Sequence, residues 1–319
     1  MNNKNNTCPL CKGTNISKLE RIHVTDLNNI YLTNYQIDTS HLFTSDTIDF
    51  CMCEDCALKF FEPSAIGDEG FYAALQKMDL YYMEDKEEYN IAANYILPSH
   101  DILDVGCGKG AFSKKVFCNS FTGLEYSNSA KKMGDQDGVN IINESIQEHS
   151  IHNKDKYHAV CTFQVLEHVE TNILFDFIKA MVDCIKTNGL LIISVPSDDS
   201  FISKGVNSAL NMPPHHQTRW PDRTLKEIAQ IFNLDIVDLH HDKLADRNKD
   251  EYLYLNINHI LSRNHQIVTT TVPIMQKIIQ KASVSAVHLM GNKLKDTLID
   301  RMKPYGHSVT AVYKKSYVG

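Results

Sequence analysis

Short apolar runs alternate with amphipathic stretches between residues 101 and 196. Five short apolar runs, each about the length of a strand, lie at 102–105, 121–125, 140–142, 158–163 and 190–195. Amphipathic stretches separate these runs, and in the last stretch apolar residues recur at helical spacing from Ile173 to Ile185. Strands that alternate with helices predict an α/β protein with a parallel, doubly wound sheet.

Two further strands are predicted toward the end of the chain. The pattern indicates a helix over 222–232, a sixth strand over 234–239 and a seventh over 308–313. Residues 245–303 are mostly helical in pattern and predict a helical insertion between strands six and seven. Ahead of the first strand, residues 70–97 predict one or two helices, which either pack on the core or form a lid.

The character of the sequence changes near Pro63 and again near Leu244. A chain of 319 residues is long enough for one large domain and a small module. We therefore expect a small module over 1–63, a helical segment of the main domain over 64–100, and the rest of the main domain over 101–319.

The composition limits the cellular environments and the binding partners that we expect for the protein. With 43% hydrophobic and 22% charged residues the chain is typical of globular proteins, and no apolar run approaches the ~20 residues that span a bilayer. The polar residues 1–6 lack the pattern of a secretory signal, so we expect a cytoplasmic protein that does not enter a membrane. A net charge of −7 without a long basic run disfavours nucleic acid as a partner.

Four of the nine cysteines form two Cys-x-x-Cys pairs, Cys8 with Cys11 and Cys53 with Cys56. This is the spacing at which paired thiolates bind one tetrahedral Zn²⁺, so a zinc ribbon is predicted. Four thiolates close the coordination shell, which makes the site structural. Two alternatives stay open: Cys51 takes the place of Cys53, or the cysteines are reduced and bind no metal.

The first predicted strand runs directly into a glycine-rich loop. The loop contains Gly106, Cys107, Gly108 and Gly110, and glycines there allow a tight turn and close approach to a ligand. Nicotinamide and flavin folds use similar loops, so the glycines alone do not identify the ligand. Asp104 precedes the first glycine, where a carboxylate would repel a diphosphate but would help to hold an ammonium group.

An acidic residue ends the second predicted strand. Glu125 lies at the carboxyl end of that strand, where open sheets bind ligands, and its carboxylate can accept hydrogen bonds from both hydroxyls of a ribose. Tyr126 follows it and is grouped with it as a cofactor-binding residue. An acid that merely starts a helix is the alternative reading of Glu125.

Residues 104–110 resemble motif I of the class I S-adenosylmethionine-dependent methyltransferases, and Glu125 resembles their ribose-binding acid. The resemblance covers residues 96–195. It implies a Rossmann-like seven-stranded sheet whose final strand, at 306–314, is antiparallel and lies beside strand five. It also implies that Ser145 and Ile146 flank the adenine and that Gln164 lies near the methionine moiety of S-adenosylmethionine.

Three histidines are candidates for contacting the methyl acceptor. His168 follows the fourth strand in a Leu-Glu-His stretch similar to that of many small-molecule methyltransferases, and His215 and His216 follow the fifth strand. Histidine can remove a proton near neutral pH, so each is a candidate base. A helix cap or a hydrogen bond to a backbone carbonyl is the alternative for each. Arg219 could instead hold an anionic substrate such as a nucleotide-sugar phosphate.

The cysteine pairs precede the predicted core and the Pro-His-His stretch follows its first five strands. This arrangement is similar to that of bacterial enzymes that methylate sugars or related metabolites. Nucleotide-sugar C-methyltransferases share the zinc front end but carry a longer C-terminal domain. The expected acceptor is therefore a small molecule, a sugar or nucleotide sugar among the candidates, with methylation on carbon, oxygen or nitrogen left open. The sequence does not indicate an oligomeric state.

Three other readings compete with this one. A zinc-ribbon rRNA base methyltransferase would be expected to have a basic ribbon, whereas acidic residues crowd the second cysteine pair: Glu54, Asp55, Glu62, Asp68 and Glu69. A non-enzymatic protein could bind the cofactor and recruit a partner through its zinc module. A Rossmann dehydrogenase would bind NAD, whereas a methyltransferase binds S-adenosylhomocysteine.

Overall fold

A computed structural model describes residues 7–76, 86–262, 266–269 and 274–316. The N-terminal elements are β1 (Ile16–His23), α1 (Val24–Tyr35), β2 (Thr47–Cys53), β3 (Lys59–Glu62), α2 (Glu69–Gln76) and α3 (Glu87–Ala93). The helices predicted over 70–97 correspond to α2 and α3, and residues 77–85 of that segment lie outside the described residues.

The elements of the main sheet follow in alternation. They are β4 (Asp101–Val105), β5 (Ser120–Leu124), α4 (Asn128–Gln136), β6 (Ile141–Ile142), α5 (Ile146–His152), β7 (Tyr157–Phe163), α6 (Leu174–Cys184) and β8 (Ile185–Pro196). The C-terminal elements are β9 (Thr218–Arg219), α7 (Asp222–Ile231), β10 (Leu234–Lys243), α8 (Lys249–Ser262), α9 (Ile274–Leu289), α10 (Asn292–Met302) and β11 (Tyr305–Lys315).

In the described part of the chain the main sheet has seven strands, in the order β10-β11-β8-β7-β4-β5-β6. The strands from β6 to β8 are parallel, and β11 pairs antiparallel with both β8 and β10. The predicted α/β class, the seven strands and the reversed final strand are therefore confirmed. The predicted insertion is also confirmed, because α8, α9 and α10 lie between β10 and β11.

Burial explains why this sheet forms. The central strand β7 is buried along almost its whole length, and α6 covers one face of the sheet with Leu174, Ile178 and Met181. Parallel strands covered by helices on both faces are rich in apolar residues, and five of the seven residues of β7 are apolar or aromatic. The polar loops at the carboxyl ends of β4, β5 and β7 therefore lie together at one edge.

The cysteine module does not stand apart from the main sheet. Within the described residues a second sheet has the order β1-β2-β3-β9, and β9 belongs to the chain that follows β8. Phe60 pairs with Thr218 and Lys59 with Arg219. The loop after β8 thus completes the sheet of the N-terminal module. None of the described helices combines the length and apolar character needed to cross a membrane.

Candidate active site

The glycine loop after β4 has the backbone geometry that its sequence predicts. Gly106, Gly108 and Gly110 all have positive φ, at 75°, 55° and 79°. The amides of Gly106 and Cys107 donate to the carbonyl of Leu124 at 2.9 and 3.1 Å, which fixes the turn against β5. A Cβ added to Gly108 would meet no atom within 4 Å, so the loop has open space on that side.

Glu125 is held directly beside this loop. Its carboxylate accepts hydrogen bonds from the amides of Gly108, at 2.9 Å, and Ser127, at 2.7 Å. Two carboxylate oxygens have about four acceptor positions, so these bonds leave capacity for the hydroxyls of a ribose. Tyr126, next to Glu125, is 68% exposed. The geometry suits the predicted roles of both residues.

Asp104 is a buried carboxyl at the end of β4. It is 2% exposed, and among the described residues no hydrogen-bond partner lies within reach of its Oδ1. Burial raises the pKa of Asp104 to about 8; Lys86 acts in the opposite direction, and Glu125 adds to the rise. A buried acid without a full set of partners fits a cationic group such as the ammonium of S-adenosylmethionine.

Ser145 and Ile146, predicted to flank the adenine, begin α5. The Ser145 hydroxyl accepts from the amide of Glu148, and the Glu148 carboxylate accepts in return from the Ser145 amide, forming a capping box. Ile146 is 2% exposed and belongs to the main core. Both contacts are structural, and the adenine-flanking role remains a prediction.

Gln164, predicted to lie near the methionine moiety, follows β7 with a positive φ of 58°. Its side-chain amide donates to Ser308 at 3.2 Å and to Glu88 at 3.4 Å. Sequence reasoning missed Glu88 and Ser308, which come from α3 and β11. The predicted helix over 70–97 was the available signal for Glu88, but no spacing rule links it to Gln164.

The three candidate histidines, although they come from two loops, form one cluster. The ring centroids of His168 and His215 are 4.5 Å apart, those of His168 and His216 are 4.9 Å apart, and those of His215 and His216 are 4.5 Å apart. One ring nitrogen from each residue lies within 4.8 Å of the other two. Residues separated by nearly fifty positions in the sequence therefore meet in one place.

Each histidine in the cluster has an oxygen acceptor at its Nδ1. His168 donates to the carbonyl of His215 at 2.7 Å, His215 to the carbonyl of Leu210 at 2.8 Å, and His216 to Asn211 Oδ1 at 3.2 Å. Burial lowers the pKa of His168 to about 3 and that of His215 to about 4. The imidazoles are therefore neutral near pH 7.

Glu167 and Tyr72 border the cluster and were not predicted. Glu167 is 1% exposed, and its Oε1 lies 3.9 Å from Nε2 of His168. Burial raises the pKa of Glu167 to about 8. The ring of Tyr72, on α2, lies 6.2 Å from that of His168. The Leu-Glu-His stretch itself was the signal for Glu167, since the glutamate precedes the histidine directly.

The histidine cluster lies next to the glycine loop. A Cβ added to Gly106 would come within 2.5 Å of Val165, three residues before His168. The amide of Gln217 donates to the carbonyl of Glu167 at 2.6 Å, which ties the second histidine loop to the first. The predicted cofactor residues and the predicted acceptor residues therefore share one edge of the sheet.

Arg219, considered as an anchor for an anionic substrate, is instead part of the protein interior. It is 4% exposed, donates twice to the carbonyl of Asn211 at 2.7 and 3.1 Å, and lies over the rings of Phe50 and Phe61. These contacts use the guanidinium to hold the second histidine loop against β2 and β3. Burial of Arg219 favours this structural role over substrate binding.

The four predicted zinc ligands also come together. Sγ of Cys8 lies 3.5 Å from that of Cys56, Sγ of Cys11 lies 3.5 Å from that of Cys53, and all four are within 4.8 Å of one another. Cys51 is not in this group, and its thiol donates to a backbone carbonyl. Sulfurs bound at about 2.3 Å to a tetrahedral zinc stand about 3.8 Å apart, so the donor set fits zinc.

The cysteine module holds the second histidine loop in place. The amide of Phe61 donates to the carbonyl of Gln217 at 3.0 Å, and the amide of Gly67 donates to that of Pro214 at 3.0 Å. The Gln217 side chain, fully buried, donates to the carbonyl of Ala65 at 2.6 Å. The order of the module therefore bears directly on the position of His215 and His216.

Comparison with known proteins agrees with this geometry. Residues 77–239 match a family described as a methyltransferase domain, which is about half of the chain. The chain belongs to this methyltransferase family. The predicted class I methyltransferase fold and the predicted enzyme class are thereby confirmed. No curated protein matches the methyltransferase at a significant level.

Solved structures resemble the methyltransferase to different degrees. An S-adenosylmethionine-dependent methyltransferase from Archaeoglobus fulgidus has 16% identity and a TM-score of 0.51, over 76% of this chain and 100% of that one. Coclaurine N-methyltransferase, in a complex with N-methylheliamine and S-adenosylhomocysteine, has 14% identity and a TM-score of 0.43, over 75% of each chain. At these identities the likeness concerns the fold.

Proposed function

We propose that the protein transfers a methyl group from S-adenosylmethionine to a small molecule, a sugar, nucleotide sugar or related metabolite. The observation that carries this proposal is the closeness of the glycine loop to the loop that bears His168 of the histidine cluster, since a Cβ added to Gly106 would come within 2.5 Å of Val165. A cofactor held by the first and an acceptor held by the second would lie side by side.

The cofactor would be held by ten residues with different roles. The glycine loop supplies close backbone approach, Glu125 accepts the ribose hydroxyls, and Asp104 and Gln164 face the methionine end. Tyr126, Ser145 and Ile146 border the adenine. The proposed set is Asp104, Gly106, Cys107, Gly108, Gly110, Glu125, Tyr126, Ser145, Ile146 and Gln164. When bound, S-adenosylmethionine supplies an electrophilic methyl carbon on a sulfonium.

The protein's contribution to the reaction is alignment and control of one proton. Methyl transfer is an in-line displacement, and holding the reacting atoms in line is worth up to about 7–11 kcal/mol. An acceptor hydroxyl or amine also has to lose a proton. His168, His215 and His216 are the groups placed to promote that loss, since their imidazoles are neutral and lie together.

Burial of the histidines supports a small acceptor. His215 and His216 are each 8% exposed, and the side chain of His168 is 23% exposed. A duplex or folded RNA could not bring a base to such a recessed cluster without base extrusion. The net charge of −7 adds to the argument against a polyanionic acceptor.

We also propose that Cys8, Cys11, Cys53 and Cys56 hold a structural zinc ion. The sulfur separation of 3.5 Å between Cys8 and Cys56 and between Cys11 and Cys53 is close to that of a tetrahedral site and supports this assignment over a metal-free thiol cluster. Four protein ligands leave no open position for a substrate. The zinc would act on the reaction only through the loop that the module holds.

Binding and turnover test the proposal in two steps. Calorimetry should show binding of S-adenosylhomocysteine and none of NAD. The protein should then transfer labelled methyl from S-adenosylmethionine to a member of a panel of sugars, nucleotide sugars and small amines, with mass spectrometry locating the methyl. Binding of NAD would contradict the cofactor assignment, and transfer to rRNA fragments but to no small acceptor would contradict the acceptor class.

A further inference from the structure

The histidine cluster has a feature that a set of independent bases would not need. One ring nitrogen from each of His168, His215 and His216 lies within 4.8 Å of the other two. Three buried imidazoles packed this closely would repel one another if they were protonated. The arrangement suits three neutral rings that each bring one nitrogen to the same small region.

Hydrogen bonds assign the proton on each ring. A carbonyl oxygen can only accept, so Nδ1 of His168 and of His215 must carry the hydrogen, and the amide oxygen of Asn211 assigns the same tautomer to His216. In a neutral imidazole the lone pair is then on Nε2. A ring that donates from one nitrogen to an oxygen and keeps a lone pair on the other is the usual state of a metal-binding histidine.

A buried acid lies beside the three rings. Oε1 of Glu167 is 3.9 Å from Nε2 of His168, and in the described structure its Oε2 has no hydrogen-bond partner although the side chain is 1% exposed. A buried carboxyl in this state costs folding free energy unless a positive charge compensates it. A cation at the cluster would provide that compensation.

We propose that His168, His215 and His216 bind a divalent transition-metal ion of the Zn²⁺ type, with Glu167 as the neighbouring anion. Imidazole suits zinc, iron, nickel and copper, whereas magnesium and calcium prefer oxygen ligands. Three protein ligands leave a position open, in contrast to the four cysteines. Nitrogens around zinc stand about 3.3 Å apart, so the rings reach bonding distance by side-chain rotation within their 4.8 Å separation.

The open position gives this site a part in the reaction, and this step rests on the proposed function. An acceptor hydroxyl bound there has a lower pKa, so its proton passes to water. The oxygen then forms its bond to the methyl carbon as the bond from that carbon to sulfur breaks, and the sulfur keeps the electron pair. The histidines thus promote loss of the proton as metal ligands.

Metal content tests the inference on the full-length chain. Protein equilibrated with Zn²⁺ and freed of excess ion should contain two zinc ions per chain by elemental analysis. His168→Asn and His215→Asn should each reduce this to one, because asparagine can keep the hydrogen bond made by Nδ1 but offers no nitrogen at the position of Nε2. The exposed His152 provides the matched control, and His152→Asn should retain two ions.

Two further measurements identify the site. Co²⁺ at this cluster should give visible absorption without the intense thiolate charge-transfer bands of a cysteine site, and both asparagine variants should abolish it. Glu167→Gln should weaken Co²⁺ binding by about 10- to 100-fold, the range for residues that support metal ligands. One zinc ion per chain in the wild type, or Co²⁺ binding unchanged in both histidine variants, would overturn the inference.

The inference and the proposed function can fail separately. The zinc ion on the cysteines and the affinity for S-adenosylhomocysteine should be unchanged in His168→Asn and His215→Asn, which shows that these variants fold. Binding of S-adenosylhomocysteine and methyl transfer in a protein with one zinc ion would overturn only the histidine site. Two zinc ions without any binding of S-adenosylhomocysteine would overturn only the proposed function.

Discussion

The two halves of the candidate site are built in different ways. The centre of the cofactor half lies within one strand-loop-strand segment, from Asp104 to Glu125, and its key contact joins Gly108 to Glu125. The acceptor half brings together His168 from the loop after β7 and His215 and His216 from the loop after β8, with the cysteine module holding the second loop. One half is local in sequence and the other is assembled by tertiary structure.

The chemistry of the two halves differs as well. The cofactor half presents carboxylates. They are Asp104, which is buried and has no hydrogen-bond partner at Oδ1 among the described residues, and Glu125, which is held by two amides. The acceptor half presents three neutral imidazoles that donate from Nδ1 to oxygens. Acidic groups suit a cationic cofactor with a ribose, whereas neutral nitrogen donors suit a metal ion. This contrast predicts that a substitution in one half can abolish the function of that half while the other half keeps its own function.

The largest expected effect concerns the module that supports the acceptor half. Cys8→Ser with Cys11→Ser should remove the zinc ion held by the cysteines and disorder residues up to Pro63, because structural zinc contributes about 10–16 kcal/mol to the folding of small segments. Elemental analysis and limited proteolysis measure both effects. Methyl transfer should be lost, while the affinity for S-adenosylhomocysteine should change by less than about threefold, or 0.6 kcal/mol.

Cys51→Ser is the matched control for the cysteine variant, since Cys51 is buried in the same module but outside the group of four thiols. It should keep its full zinc content. Undiminished zinc in the double variant would contradict the assignment of Cys8 and Cys11. Equal loss of binding and turnover would contradict the independence of the two halves.

The next effect tests the cofactor half. Glu125→Ala should weaken S-adenosylhomocysteine binding at least about tenfold, because hydrogen bonds to a charged group contribute roughly 1.5–3 kcal/mol and tenfold corresponds to about 1.4 kcal/mol. Calorimetry provides the measurement, and Asp135→Ala, which removes an exposed acid from α4, is the control. An unchanged affinity would refute the ribose assignment.

Asp104 should make cofactor binding depend on pH. Its pKa of about 8 keeps it mostly protonated at neutral pH in the free protein. The ammonium group of S-adenosylhomocysteine pairs with the ionised form, so binding should release close to one proton and the affinity should rise with pH up to about 8. Calorimetry in buffers of different ionisation enthalpy measures this proton. Asp104→Asn should bind without pH dependence, and a falling affinity in the wild type would reverse the assignment.

The smallest expected effect distinguishes the filling of open space at the glycine loop from backbone strain at a glycine with positive φ. Gly108 and Gly138 both have positive φ and open space where a Cβ would lie. Alanine at either position should cost about 1–2 kcal/mol of stability, because an L-residue is strained there. Only Gly108→Ala should also weaken S-adenosylhomocysteine binding, by several-fold, since its Cβ would occupy the cofactor side of the loop. Equal affinities in the two variants would contradict this position for the cofactor.

Much of the fold could be predicted because its signals are local. The apolar runs of the parallel strands and the helical spacing over 173–185 each record burial within one element, and the structure places β4 to β8 on them. The reversal of β11 came from the resemblance to a family, because no local pattern specifies on which edge of a sheet a strand pairs. β9 was not predicted, because its two residues are too few to give a periodic signal.

The residues of the candidate site also differ in whether the sequence could identify them. Gly106, Gly108 and Glu125 could be identified from a strand followed by glycines and an acid, and their geometry suits the predicted roles. Glu88 and Tyr72 were missed as candidate residues, because their relation to Gln164 and the histidines exists only after distant elements have packed. Glu167 was missed although it directly precedes His168 in the sequence. Arg219 was considered for a substrate, yet two aromatic rings and a carbonyl bury it inside the protein.

By itself the sequence determined the α/β sheet, the glycine loop with its acidic partner and the two cysteine pairs, since each depends on residues near one another in the chain. Only the tertiary structure decided that His168 meets His215 and His216, and that the cysteine module completes its sheet with β9. Long-range pairing depends on which buried surfaces fit together, and the hydrophobic pattern of a single element does not record it. The candidate residues of both halves could therefore be named from the sequence, whereas the meeting of the three histidines could not be predicted from it.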